Sequence, residues 1–145
     1  MPARSIKLPT LIVFVLIGIV SACTFKHSGN NSVNSVRGEI ERAFETRAKD
    51  VQVEGEGIVE RLLSDDTDGG KHQRFIVRLP SGQTVLIAHN IDLAPRIDGL
   101  QKGDTVRFYG EYVWNPQGGT IHWTHHDPQG RHVSGWLKHN GLTYQ

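Results

Sequence analysis

"VQVEGEGIVERLL", Val51 to Leu63, is the stretch on which the fold turns. Apolar and polar residues alternate along it, the mark of a strand with two different faces. Gly55 and Gly57 sit inside it, and a glycine within a strand signals a bulge, a sharp bend or a close approach of backbone. The reading is one long strand, bent at its glycines.

Further strands follow. "HQRFIVRL" (His72 to Leu79) and "QTVLIAH" (Gln83 to His89) form a hairpin through Pro80-Ser81-Gly82. "NIDLAPRIDGLQKGD" is an interrupted connector, and "TVRFYGEYVW" (Thr105 to Trp114) is a fourth strand. The fold class expected is mainly β: a small OB-like antiparallel barrel with a C-terminal meander extension and one N-terminal amphipathic helix. The entry "LQKGDTV" into the fourth strand resembles many OB-fold sequences.

Upstream, Arg4 and Lys7 precede the apolar run "LIVFVLIGIV" (Leu11 to Val20), a secretory pattern. The run is shorter than the roughly 18 to 20 apolar residues that cross a bilayer. It is followed by Val20-Ser21-Ala22-Cys23, and an aliphatic residue, two small residues and cysteine resemble the lipobox of bacterial lipoproteins. That resemblance implies cleavage before Cys23, acylation of its thiol (palmitate among the chains) and a lipid-anchored place in the cell envelope. Thr24, in place of aspartate, implies onward transport to the outer membrane, facing the periplasm. Cys23 is the only cysteine, which excludes internal disulfides and cysteine-based metal sites.

Residues 1–22 are thus the signal and 23–32 a lipidated tether. Residues 33–50 are an amphipathic helix, with Val33, Val36, Ile40 and Phe44 at helical spacing, and 51–145 are the β-domain. Loss of the signal removes Arg4 and Lys7 and no acid, leaving 14 basic residues against 15 acids. With no basic excess, nucleic acid is not an expected partner. The expected partners are the membrane, through Cys23, and an envelope small molecule, glycan or protein.

The site is sought in "NPQGGTIHWTHHDPQGRH", Asn115 to His132, where two Asx-Pro-Gln-Gly turns bracket three histidines. Proline in such a turn favours a type I turn closed by a left-handed glycine. Built that way, Tyr112 faces His122, and the next hairpin sets His126 against His132, Thr124 against Ser134 and His122 against Trp136. One face then carries Tyr112, His122, Trp136, Thr124 and Ser134 as a ligand-binding surface, with His89 and Asn90 at the barrel mouth. The other carries Tyr109, Ile121, Trp123 and Leu137 as core. Along the fourth strand, however, Val106, Phe108 and Tyr112 make the more apolar row, and a shift of one residue inverts both faces.

His126 and His132, with Asp127 beside them, are candidate metal ligands for zinc. The plainer alternative is a set of hydrogen-bonded histidines on a polar sheet, with no cofactor. No HExxH or GxSxG spacing supports an enzyme. "DDTDGG" (Asp65 to Gly70) lacks the acid that completes a calcium loop. The function expected is a non-enzymatic binding domain on a lipid anchor; a zinc-dependent hydrolase, acting on nucleic acid, is the alternative.

The stretches "HNID", "GEYVWN", "GGTIHWTHHDP" and "GWLKHNG" resemble a family of small bacterial proteins known only as a domain of unknown function. The likeness runs from about Val53 to Gln145. It supplies no catalytic residues, and it implies that the segment after Val51 is one unit to which signal and helix are additions.

Overall fold

The computed structural model describes residues 31–145, with side-chain surroundings from Gly38 onward. The expected signal segment, Cys23 and the tether as far as residue 30 lie outside the described residues. No described helix is long and apolar enough to cross a membrane.

Helix α1 (Asn31–Glu45) precedes seven strands: β1 (Lys49–Leu62), β2 (His72–Arg78), β3 (Thr84–Asn90), β4 (Thr105–Val113), β5 (Thr120–His122), β6 (Trp136–His139) and β7 (Leu142–Tyr144). The helix stops at Glu45, five residues short of the expected end at residue 50. Arg47 takes a left-handed conformation (φ 52°), Ala48 N–H donates to Ala43 O (2.8 Å) and Arg47 N–H to Phe44 O (3.1 Å). This paired closure satisfies the last carbonyls and turns the chain into β1.

β1 is the bent strand the glycines announced. It pairs with β4 from Lys49 to Ile58 and with β2 from Ile58 to Leu62, so Ile58 faces Thr105 on one side and Arg78 on the other. A Cβ at Gly55 would strike the Phe108 ring, and one at Gly57 the Arg78 carbonyl. Both glycines therefore let backbone and core come close where the sheet curls. The register irregularities themselves fall elsewhere, between Lys49 and Val51 against β4 and between Val59 and Arg61 against β2. The β2–β3 hairpin has the expected pairing, from His72↔Asn90 to Arg78↔Thr84.

β3 and β5 run parallel, and β5 and β1 both pair with β4. The order β1-β2-β3-β5-β4 thereby closes back on β1 as a five-stranded, OB-like barrel. Its interior is filled by Val53, Val59, Phe75, Val77, Val85, Ile87, Val106, Phe108, Tyr112, Ile121 and Leu137, none more than 1 % exposed. Ile40 and Ala43 of α1 pack onto this core. Ala94, Ile97 and Leu100 anchor the connector, and the buried Gln73 amide clasps the Ile97 backbone in both directions, each bond 2.9 Å.

The C-terminal extension differs from the expected meander. β6 pairs with β4 (Phe108↔Leu137), on the half of its edge that β5 leaves free, and not with β5. β7 then pairs with β6 across Asn140-Gly141, both at positive φ, the conformation of a type I′ hairpin turn.

Candidate functional site

The position of β4 decides which side chains can meet a ligand. Val106, Phe108, Gly110 and Tyr112 point inward; Arg107, Tyr109, Glu111 and Val113 point out. The expected Tyr112–His122 pairing is displaced by one residue: Glu111 faces His122, and Tyr112 faces Ile121. The cause is Gly119. Gly118 closes the expected turn (Gly118 N–H to Asn115 O, 3.2 Å), but Gly119 adds a further positive-φ residue before β5 begins. Neither glycine admits a Cβ, since Gly118 lies against the Thr84 carbonyl and Gly119 against the Tyr112 ring.

Three expected binding residues are consequently interior. Tyr112 is buried and its hydroxyl donates to Gly118 O (3.2 Å). His89 and Thr124 are buried and bonded to each other, Nδ1 to Oγ1 at 2.8 Å, while His89 Nε2 donates to Pro95 O at 3.2 Å. With Nε2 carrying the proton, Nδ1 accepts the threonine hydroxyl. Burial pushes the His89 pKa down to about 4, so the ring is neutral and serves to hold the connector. Asn90 accepts Asp92 N–H (2.9 Å) and caps the same connector.

His122 and Trp136 do share the outer wall, joined by Tyr109 in place of Tyr112. A row crosses three strands there: Gln52 on β1 faces Glu111 on β4, which faces His122 on β5. His122 Nε2 lies 3.1 Å from Glu111 Oε1 but is not aligned as a hydrogen bond. Burial lowers the His122 pKa, opposed by the charges of Glu111 and Asp50. Both His122 Nε2 and Gln52 Nε2 are out of solvent with no hydrogen-bond partner among the described residues. Two such atoms in one row are conspicuous, because each carries a desolvation penalty of about 1–3 kcal/mol unless a water or ligand meets it.

Beside the row, the Tyr109 and Trp136 rings lie 6.0 Å apart. Lys138 Nζ stands 4.3 Å from the Trp136 ring centre, and the Arg107 guanidinium, at 5.9 Å, is also paired with Glu54 at 2.9 Å. The wall thus presents an aromatic pair, a half-buried imidazole, a carboxylate and two cations.

The loop from Trp123 to Gly135 leaves and rejoins that wall. Trp123 adopts φ 52°, and its ring stacks on His132 with centres 3.8 Å apart. The second turn forms as expected, Gly130 N–H reaching Asp127 O at 3.1 Å, but no strand pairing follows it. His126 does not face His132; its Nδ1 meets Ser134 Oγ at 2.9 Å. The Asp127 carboxylate accepts the backbone N–H groups of Gln129 (2.9 Å), Arg131 (2.6 Å) and His132 (2.9 Å). These bonds, that of Gln129 first, hold its pKa down to about 2. Of the three expected metal ligands, His126 bonds Ser134, His132 stacks on Trp123 and Asp127 closes the loop, and no group of three metal-ligating side chains converges among the described residues. In the acidic loop, Asp65 pairs with Arg96 (3.0 Å) and Asp66 with Arg74 (3.4 Å).

Tyr109, expected in the core, lies on the outer wall with Glu111 and Gln52, neither of which was an expected site residue. The apolar row Val106, Phe108, Tyr112 was the signal that places Tyr109 and Glu111 outside. Residues 21–145 match the family described as "Protein of unknown function (DUF3465)". That span takes in the helix as well as the barrel, so the family unit begins well before Val51. No curated protein matches the chain.

Proposed function

We propose that this chain, which belongs to the DUF3465 family, is a lipid-anchored protein of the bacterial envelope whose barrel binds a small molecule, glycan or envelope protein without transforming it. The Val20-Ser21-Ala22-Cys23 sequence supports the anchor, and the family match, beginning at residue 21, includes that cysteine. Several acyl chains on one cysteine give stable attachment, where a single chain binds only marginally. Thr24 supports the outer membrane as the destination.

One observation carries the binding reading: the row Gln52, Glu111, His122, in which His122 lies 3.1 Å from the Glu111 carboxylate, flanked by the Tyr109–Trp136 ring pair and the Lys138 cation. A ligand that offers a flat apolar face to Tyr109 and Trp136 and polar groups to Glu111 and Lys138 would suit this wall. Chemistry would require a nucleophile, a base and a group that orients the base. Ser134 and His126 offer the first two, and Ser134 is the only side chain hydrogen-bonded to His126 among the described residues.

The test is a titration of the chain from Thr24 onward with soluble envelope fragments (muropeptides and outer-membrane oligosaccharides), read by amide chemical shifts. Shifts that gather at Gln52, Tyr109, Glu111, His122 and Trp136, and vanish in Trp136→Ala, support the reading. Conversion of the fragment, or shifts that avoid this wall, contradicts it.

A further inference from the structure

A second recess shares no residue with that wall. It is a groove of about 570 Å³ lined by Glu60 and Arg61 of β1, Ile76 and Arg78 of β2, Gly82 of the β2–β3 turn, Thr84 of β3, Lys102 of the connector and Gln117 of the β4–β5 loop. Three cations and one acid give it a local excess of positive charge, although the mature chain is close to neutral. Its walls are held in place. Gln83 Nε2 donates to Gly118 O (3.0 Å) and Leu86 N–H to Gly119 O (3.0 Å), fastening the β4–β5 loop to the β2–β3 hairpin.

The polar groups differ in how they are occupied. Arg78 is fixed, one nitrogen on Glu60 Oε1 and another on Gly82 O at 3.1 Å. Arg61 and Lys102 enter no ion pair among the described residues. The second carboxylate oxygen of Glu60 is shielded from solvent and has no hydrogen-bond partner among the described residues. Thr84 and Gln117 add a hydroxyl and an amide, and Ile76 an apolar patch. The groove therefore calls for an anionic group to meet Arg61 and Lys102, and for hydroxyls to pair with Thr84, Gln117 and the Glu60 carboxylate that line it. An inorganic anion supplies only the first, a neutral sugar only the second.

We infer that this groove is a binding site for an acidic saccharide, a sugar that carries phosphate or carboxylate. Its volume suits a ligand of one to three sugar units, and charge-assisted hydrogen bonds to the anion supply most of the affinity.

The test is calorimetric titration of the full chain in nonionic detergent with glucose 6-phosphate, glucuronate, glucose, inorganic phosphate and a short single-stranded oligonucleotide. One or both acidic sugars should bind, with glucose and phosphate about tenfold weaker or worse. Arg61→Ala/Lys102→Ala removes two exposed side chains and should weaken the acidic sugar by about tenfold or more, as expected for lost charge-assisted contacts. Glu60→Gln should erase the preference for sugar phosphate over inorganic phosphate. Trp136→Ala should leave all of this unchanged, which separates the groove from the outer wall. Absence of binding by either acidic sugar, inorganic phosphate binding as tightly as sugar phosphate, indifference to the double variant, or tighter binding of the oligonucleotide would each overturn the assignment.

Discussion

His89 Nδ1 accepts the hydroxyl of Thr124 across 2.8 Å inside a closed barrel, and the two residues come from strand β3 and from the loop just past β5. The bond ties the histidine loop to the barrel wall, while the other ring nitrogen holds Pro95 of the connector. Thr124→Val keeps the shape and removes the donor, leaving a buried imidazole nitrogen unmet. Denaturant unfolding should show a loss of about 1–3 kcal/mol, and Thr124→Ser should recover most of it. A valine variant as stable as the parent would show that the bond contributes nothing.

The same histidine makes stability depend on pH. Its pKa falls from 6.5 to about 4 on folding, so between those values the unfolded chain binds the extra proton. The contribution is complete above about pH 6.5 and is lost as pH falls toward 4, on the order of 3 kcal/mol in all. Unfolding free energies measured from pH 7.5 to 4.5 should fall along this course, and His89→Gln should flatten it. An unchanged slope in that variant would assign the acid sensitivity to other groups.

Asp127 organises a loop. Its depressed pKa gives stability that is present above the ordinary carboxylate value and lost as pH falls through about 2. Asp127→Ala frees three backbone donors, so the Arg131 and His132 amides should exchange with solvent much faster while those of β1 to β4 do not change. The Trp123–His132 stack should loosen with them, visible as a shift in tryptophan emission. Unaltered exchange at Arg131 and His132 would refute the role.

The barrel was legible because its signals are local. Gly55 and Gly57 announced the bend of β1, Pro80-Ser81-Gly82 the hairpin, and Val106, Phe108 and Tyr112 the inner face of β4. The histidine face was not legible, because its register hung on turn length. One additional left-handed residue, Gly119, moves every partner by one, and a one-residue slip exchanges inside and outside. The second hairpin failed for a nonlocal reason: the free half of the β4 edge captures β6. Asn140-Gly141 was a readable turn signal for β7, but Gln52 and Glu111 gained meaning only once the strands lay side by side.

The functional account stands on Cys23 as the first residue of the mature chain. Intact mass spectrometry of the protein extracted from membranes measures this directly. The account predicts a chain of residues 23–145 carrying added acyl mass on Cys23, with Cys23→Ala absent from the membrane-anchored form. A chain that retains residues 1–22, or one cut elsewhere with an unmodified Cys23 in the soluble fraction, would contradict it.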